Sequence, residues 1–338
     1  MSSDERLLSY GLAINEAIHQ AMEDDPSVIV LGQGLKSPWY VGATATGLLD
    51  RFGPSRVLDT PVSENAVTGA AVGAALAGLR PLVVHPRMDF MLYAFDPIVN
   101  QAANWHYMSG GISAVPVVFW GIINRRGEQA AQHSQALHSM LAHVPGLKVV
   151  APASPRDAKG LMLAALADDN PVVFIDDRSL YALEGPVPEQ QYRTPIGSAR
   201  IVRSGRDISI FACSELVPMA VEAADLAATA GCSAEVVDLR SLKPLDRELI
   251  LESAARTGRV LVCDPGWTTG GIGAEILAAV AEAGIDLRSP PRRVGLPDCP
   301  APAARSLEAV YYPSPERLRD AVLEVARASL ELSTWVLP

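Results

Sequence analysis

VLDTPVSENAVTGAAVGAALAGLRPLVV, running from Val57 to Val84, reads as strand, helix and strand in succession. VLD and PLVV are short runs rich in branched apolar residues, and the segment between them is Ala- and Gly-rich, with Ser63 at a position suited to an N-cap. Between Asp59 and Arg80 the sole formal charge is Glu64. That carboxylate falls where strand turns into helix, at the carboxyl edge of the expected sheet, and this edge is where α/β proteins bind ligands. The same acid would also complement the helix dipole, an effect of ~0.3–1 kcal/mol.

Working outward, the pattern repeats. Val- and Ile-rich runs at 27–31, 56–59, 81–84, 115–120, 147–151 and 171–176 alternate with Ala-rich helical stretches, one of them near 155–168. The alternation predicts α/β architecture with a parallel sheet. It breaks at LEGPVPEQQYRTPIG, residues 183–197, which holds three prolines and no periodicity. A smaller alternation follows, with strands near 207–212, 234–238 and 259–263 and helices near 215–230, 246–256 and 272–284. The chain then closes on an amphipathic helix within 313–332. We expect one domain over residues 1–190 and a second over 198–338.

Bulk properties restrict the function classes. The chain has 338 residues, 49% of them hydrophobic, with a formal net charge of −10. An acidic chain without basic patches is not suited to nucleic acid or anionic membrane surfaces. No apolar run reaches the ~18 residues of a membrane span, and the amino terminus lacks the apolar core of a signal peptide. Cys213, Cys232, Cys263 and Cys299 have neither CxxC nor metal-ligand spacing and read as core thiols in a reducing compartment. A cytoplasmic protein, or the processed form of an organellar one, is expected.

Common signatures of nucleotide and hydrolase chemistry are missing. GGIGAEI at 270–276 puts Ile276 where a dinucleotide loop needs glycine, and there is neither a phosphate-cradling G-x-x-x-x-G-K-[ST] loop nor a G-x-S-x-G elbow. His133 lies in AAQHSQALHSM, where an imidazole could exchange a proton near neutral pH. His133, His138 and His143 are spaced five apart, which suits neither one helical face nor a compact zinc site. Phe90, Tyr93 and Phe95 follow PLVV and could pack in the core or meet a ring.

Taken together, DTPVSENAVTGAAVGAALAGLRP, YMSGG at 107–111, AAQHSQ at 130–135, HVPGLKVVAPASPRDAKGL at 143–161 and DNPVVF at 169–174 resemble the beta subunits of thiamine-diphosphate-dependent 2-oxo acid dehydrogenases. Weaker likeness continues through VVDLRSLKPLD and TGGIGAEI, so it covers nearly the whole chain in order. The resemblance implies a pyrimidine-binding domain followed by a transketolase-type carboxy-terminal domain. It implies that Glu64 hydrogen-bonds the cofactor's aminopyrimidine and favours its imino tautomer, that Phe90 stacks on that ring, and that Gln33 lies by the cofactor. His133 would assist acyl transfer to a lipoyl group. Val117, Ala165, Leu166, Asp168 and Asn170 match a structural potassium site of some relatives.

The family binds diphosphate and magnesium through a G-D-G motif that this chain lacks. The resemblance therefore implies an alpha subunit that supplies this half, in an assembly of two alpha and two beta chains, with a lipoyl acyltransferase or another carrier taking the acyl unit. Departures from the family pattern introduce His85 and Arg87 in HPRMDF, and Arg125, Arg126 and Glu128 in GIINRRGEQ. The arginines would suit an anionic donor at the substrate entrance. They keep open a split transketolase-like enzyme that moves a two-carbon ketol unit to an aldehyde or a carrier protein. A catalytically silent assembly subunit is a third reading, which the trio of Glu64, Phe90 and His133 disfavours.

Overall fold

The computed structural model describes residues 6–328, and the chain divides into two compact units. Helix α1 (Tyr10–Asp24) opens the first unit, capped by Ser9, whose side chain accepts from the Leu12 amide. Its buried residues Tyr10, Ile14, Ile18 and Met22 recur one turn apart and form the apolar stripe that enters the core.

Seven strands make the main sheet: β1 (Val28–Gln33), β2 (Val57–Thr60), β3 (Arg80–His85), β4 (Val118–Ile123), β5 (Lys148–Val150), β6 (Val172–Asp177) and β7 (Ser241–Lys243). Their spatial order is β7-β5-β6-β4-β3-β1-β2, parallel throughout except β7, which runs antiparallel to β5. Every residue of β4 and β6 is buried, as befits central strands covered on both faces. β1 leads to β2 on one side, and the chain then crosses β1 to place β3 on the other. The carboxyl ends of β1 and β3 therefore flank a topological switch point, where such sheets leave a crevice.

Helix α2 (Glu64–Leu76) joins β2 to β3, and α3 (Pro155–Ala167) joins β5 to β6. α3 begins with a firm cap, since Ser154 Oγ accepts from the Asp157 amide at 3.2 Å and Pro155 stands at the first position. α2 differs from expectation. Ser63 occupies its N-cap position, but the Ser63 side chain makes no capping bond.

The second unit holds a five-stranded sheet in the order Arg292–Leu296, Val260–Trp267, Ile208–Ala212, Ala234–Asp238 and Arg200–Arg203, of which the last pairs antiparallel. Helices Leu216–Ala228, Arg247–Thr257, Ile272–Glu282 and Pro315–Arg327 belong to it. Residues 329–332 of the expected last helix lie outside the described residues. The division is not a single cut: Arg240–Leu245 and Cys299–Tyr311 cluster with the first unit. Cys213, Cys232 and Cys263 are buried as expected of core thiols, but Cys299 is exposed. Among the described residues no helix is long and apolar enough to cross a membrane.

Candidate active site

The carboxyl ends of β1, β2 and β3 open into a cavity of about 250 Å³ within the first unit. Gly32 and Gln33 reach it from β1, Thr60 from β2, and Val84 and His85 from β3. Glu64 enters from the first turn of α2, and Ser63 also lines the wall. Arg87 and Phe90 follow β3, Trp39 and Tyr40 come from the short helix Pro38–Val41, and His133 comes from the loop after β4. The sequence stretch that decides the fold thus also delivers the carboxylate.

Local chemistry explains why the wall holds together. Gly32 pairs with Val84 across the two strands, and a Cβ there would lie 2.5 Å from the Val84 carbonyl oxygen, so only glycine allows this approach. Asp59 Oδ1 accepts from the amides of Gly34 and Leu35 at 2.8 and 3.3 Å, which pins the chain leaving β1. Asp89 Oδ1 accepts from the Gln135 amide at 3.2 Å and from its Nε2 at 2.9 Å. That bond ties the His133 loop to the segment bearing Phe90. The two rings meet edge to face, with centroids 5.4 Å apart and an interplanar angle of 89°.

Electrostatics set the protonation of the wall. His85 is buried, with Nε2 3.4 Å from Thr68 Oγ1, and burial lowers its pKa to about 4. It is therefore a neutral imidazole at neutral pH. Burial also holds the Asp89 carboxyl above the ordinary carboxylate range, against the Gln135 bonds, which lower it. Burial, and then the charge of Arg178, lowers the pKa of Arg87.

Glu64, Phe90, His133 and Gln33 thus share one cavity wall, although they are far apart in sequence. The arginines separate. Arg87 lines the cavity, whereas Arg125 is buried with its Nε 3.0 Å from Asp177 Oδ2, both side chains fully inaccessible. The expectation that Arg125 faces a substrate entrance is corrected: its charge is matched inside the fold. Arg126 sits in a left-handed backbone run that includes Gly127, Glu128 and Ala130.

The five residues matched to a potassium site do lie together, but their oxygens have other partners. Arg80 donates to Leu166 O at 2.8 Å and to Asp168 O at 2.7 Å. Asp168 also accepts from Lys148 Nζ and from the Asn170 amide, and the Ala165 and Val117 carbonyls accept from the backbone of Asp168 and Val172. Arg80 thus shares the carbonyls of two of these five residues. Sequence reasoning missed Trp39 and Tyr40 as lining residues and Asp59 and Asp89 as the acids that fix the loops. Their partners lie in separate segments, and no spacing signals them.

Comparison with known proteins follows the same lines. Residues 7–184 match the transketolase pyrimidine-binding domain, and residues 197–318 match the transketolase C-terminal domain. The chain is 45% identical over 327 residues to the acetoin:2,6-dichlorophenolindophenol oxidoreductase subunit beta of Cupriavidus necator, covering 91% of this chain and 94% of that one. It is 42% identical over 326 residues to the pyruvate dehydrogenase E1 component subunit beta of Rickettsia felis, covering 94% and 99%.

The chain belongs to the beta-subunit family of the pyruvate and acetoin dehydrogenases.

The solved structures extend this family's fold to transketolases. A split-gene transketolase, described as an inactive beta4 tetramer, has a TM-score of 0.77 at 23% identity, over 95% of this chain and 99% of that one. A transketolase mutant from Pichia stipitis has a TM-score of 0.70 at 15% identity, over 96% of this chain and 46% of its own length. At such identities the likeness concerns the fold. What sets the family assignment is the pair of domain matches together with relatives aligned nearly end to end.

Proposed function

We propose that this chain is the beta subunit of a thiamine-diphosphate-dependent enzyme that decarboxylates a 2-oxo acid and passes the acyl unit to a lipoyl group or similar carrier. The observation that carries the reading is the shared cavity of Glu64, Phe90 and His133 at the switch point of the sheet. A carboxylate, an aromatic face and neutral polar groups in one cavity fit an aminopyrimidine. The sequence has no G-D-G motif to bind the diphosphate with magnesium. The chain thus suits the pyrimidine half of the cofactor, with an alpha subunit holding the diphosphate and magnesium.

When bound, the cofactor supplies a thiazolium carbon that adds to the 2-oxo carbonyl and holds the electron pair released with carbon dioxide. In this reading Glu64 accepts a hydrogen bond from the pyrimidine ring, and the apolar side chains of Val67, Val84 and Phe90 in the cavity wall strengthen that bond by lowering the local dielectric. Phe90 packs against the ring. His133, steadied by its edge contact with Phe90, supplies a proton as the lipoyl disulfide opens. Potassium finds little support, because Arg80 already draws on two of the oxygens matched to it.

Support for a partner subunit comes from the surface of α2. Asn65, Ala66, Gly69, Ala70 and Gly73 are exposed, and no charge interrupts this face. Val62, Tyr107 and Ile112 are also strongly exposed, at 67%, 89% and 89%. Such surface is ordinarily covered in an assembly. An assembly of two alpha and two beta chains in the cytoplasm is the form we favour.

The test is co-expression with an alpha-type chain that carries the missing motif. Reduction of 2,6-dichlorophenolindophenol should require both chains, thiamine diphosphate, magnesium and a 2-oxo acid. His133→Ala should lower transfer to a lipoyl domain far more than dye reduction. Dye reduction by this chain alone, or equal loss in both assays, would count against the assignment.

A further inference from the structure

Among the described residues four lysine and arginine side chains are buried: Arg87, Arg125, Lys159 and Arg240. Three of them are matched by carboxylates. Arg125 pairs with Asp177 at 3.0 Å, Lys159 with Glu16 at 2.5 Å and Arg240 with Asp157 at 3.1 Å. Arg87 differs. Its Nη1 donates to the Pro86 carbonyl at 2.6 Å, and Nη2 and Nε lie 3.2 Å from Asn124 Oδ1 once that amide is turned to face them. Both acceptors are neutral.

The remaining N–H groups of Arg87, one on each terminal nitrogen, meet no acceptor among the described residues. Asp89 is near enough to act on Arg87 through its charge but forms no ion pair with it, and Asp89 Oδ1 is occupied by Gln135. Arg178 adds a second positive charge nearby and is held by the carbonyls of Trp39 and Pro38, at 2.7 and 3.3 Å. A guanidinium withdrawn from water without a bonded counter-ion is costly. This one lines the cavity that holds Glu64, Phe90 and His133. A planar fork suits a carboxylate or phosphate oxygen pair.

We propose that Arg87 selects the donor by binding a second anionic group that the 2-oxo acid carries beyond its reacting carbonyl. This rests on the decarboxylase reading above and names its substrate class. A carboxylate and a phosphoryl group share the required chemistry. Arg125 takes no part, because Asp177 already neutralises it.

The experiment uses the assembled alpha–beta enzyme with thiamine diphosphate and magnesium, assayed by dye reduction on pyruvate, 2-oxobutyrate, 2-oxoglutarate and 3-phosphonopyruvate. One of the two anion-tailed donors should exceed pyruvate in kcat/KM, and which one does so identifies the group. Arg87→Met should lower kcat/KM for that donor on the order of 10- to 100-fold more than for pyruvate, mainly through KM. Arg87→Lys should recover part of the loss. Preference for pyruvate, or an equal loss on all donors, overturns the proposal. So does a variant whose one defect is weaker subunit association in sedimentation, since Arg87 would then serve an acid of the alpha chain. If no 2-oxo acid is turned over, the decarboxylase reading has failed, and calorimetric titration with glutarate and with inorganic phosphate decides on Arg87 separately. Binding that Arg87→Met abolishes sustains the anion site, and no binding of either anion sinks it.

Discussion

Replacing Glu64 by glutamine keeps a hydrogen-bonding side chain in the first turn of α2 but removes the charge that the proposed tautomer shift needs. We expect Glu64→Gln to assemble normally and to slow deuterium exchange at the cofactor's thiazolium carbon by ~100- to 10,000-fold. An unchanged rate would leave Glu64 with only a helix-dipole role. His85 makes a different prediction, about pH. Its ordinary pKa of 6.5 falls to about 4 in the fold. Between those values the unfolded chain binds a proton that the folded chain does not, so stability rises with pH across the window and is lost as pH falls through it. Asp176 works the other way. Burial raises its carboxyl from 3.8 to about 7, against the nearby Tyr181 and Trp120, which lower it. Its contribution is complete below pH 3.8 and lost as pH rises through about 7. The urea midpoint of His85→Gln should therefore fall less than that of the parent between pH 6.5 and 4, whatever its absolute stability. Parallel slopes would show that His85 is not a source of the acid sensitivity.

At the scale of elements, Arg125 and Asp177 tie the end of β4 to the end of β6 through an ion pair sealed from water. Arg125→Met leaves Asp177 charged and buried, and should cost about 3–5 kcal/mol in chemical denaturation. A loss below ~1 kcal/mol would mean that water or another cation reaches the carboxylate. The pair also shows what a sequence makes legible. The inner strands of both sheets could be read because each is a local run rich in Val, Ile and Leu, and α2 because a single stretch carries its start, its body and the strand that follows. The edge strands Arg200–Arg203 and Arg292–Leu296, short and bearing arginines, were missed. Arg125 could not be placed this way, since its partner lies on the neighbouring strand of the sheet but more than fifty residues along the chain. The same holds for β7, whose SLK reads as loop between strand and helix and becomes a strand only through the edge of β5. Glu64, Phe90 and His133 were suggested by resemblance. Their common wall depends on the parallel register of β1 and β3 and on the bonds from Asp89 to Gln135, which no spacing reveals.

For the whole molecule, the proposed half-site implies weak cofactor binding in isolation. Calorimetry on the purified chain should detect no tight, magnesium-dependent binding of thiamine diphosphate, and adding the alpha chain should create it. Tight binding by the lone chain would refute the half-site view. The route of the chain bears on how the protein is made. β7 completes the first sheet, yet it follows three strands of the second. On the ribosome, the first sheet must wait with the edge of β5 bare while those Val- and Ile-rich strands emerge, and an open edge is a template for wrong pairing. Rare synonymous codons placed between positions 198 and 240 should therefore reduce the soluble yield more than the same codons placed after 245, although the finished polypeptide is identical. Translation speed, and the chaperones that shield a nascent edge, would then govern how much of this enzyme a cell obtains.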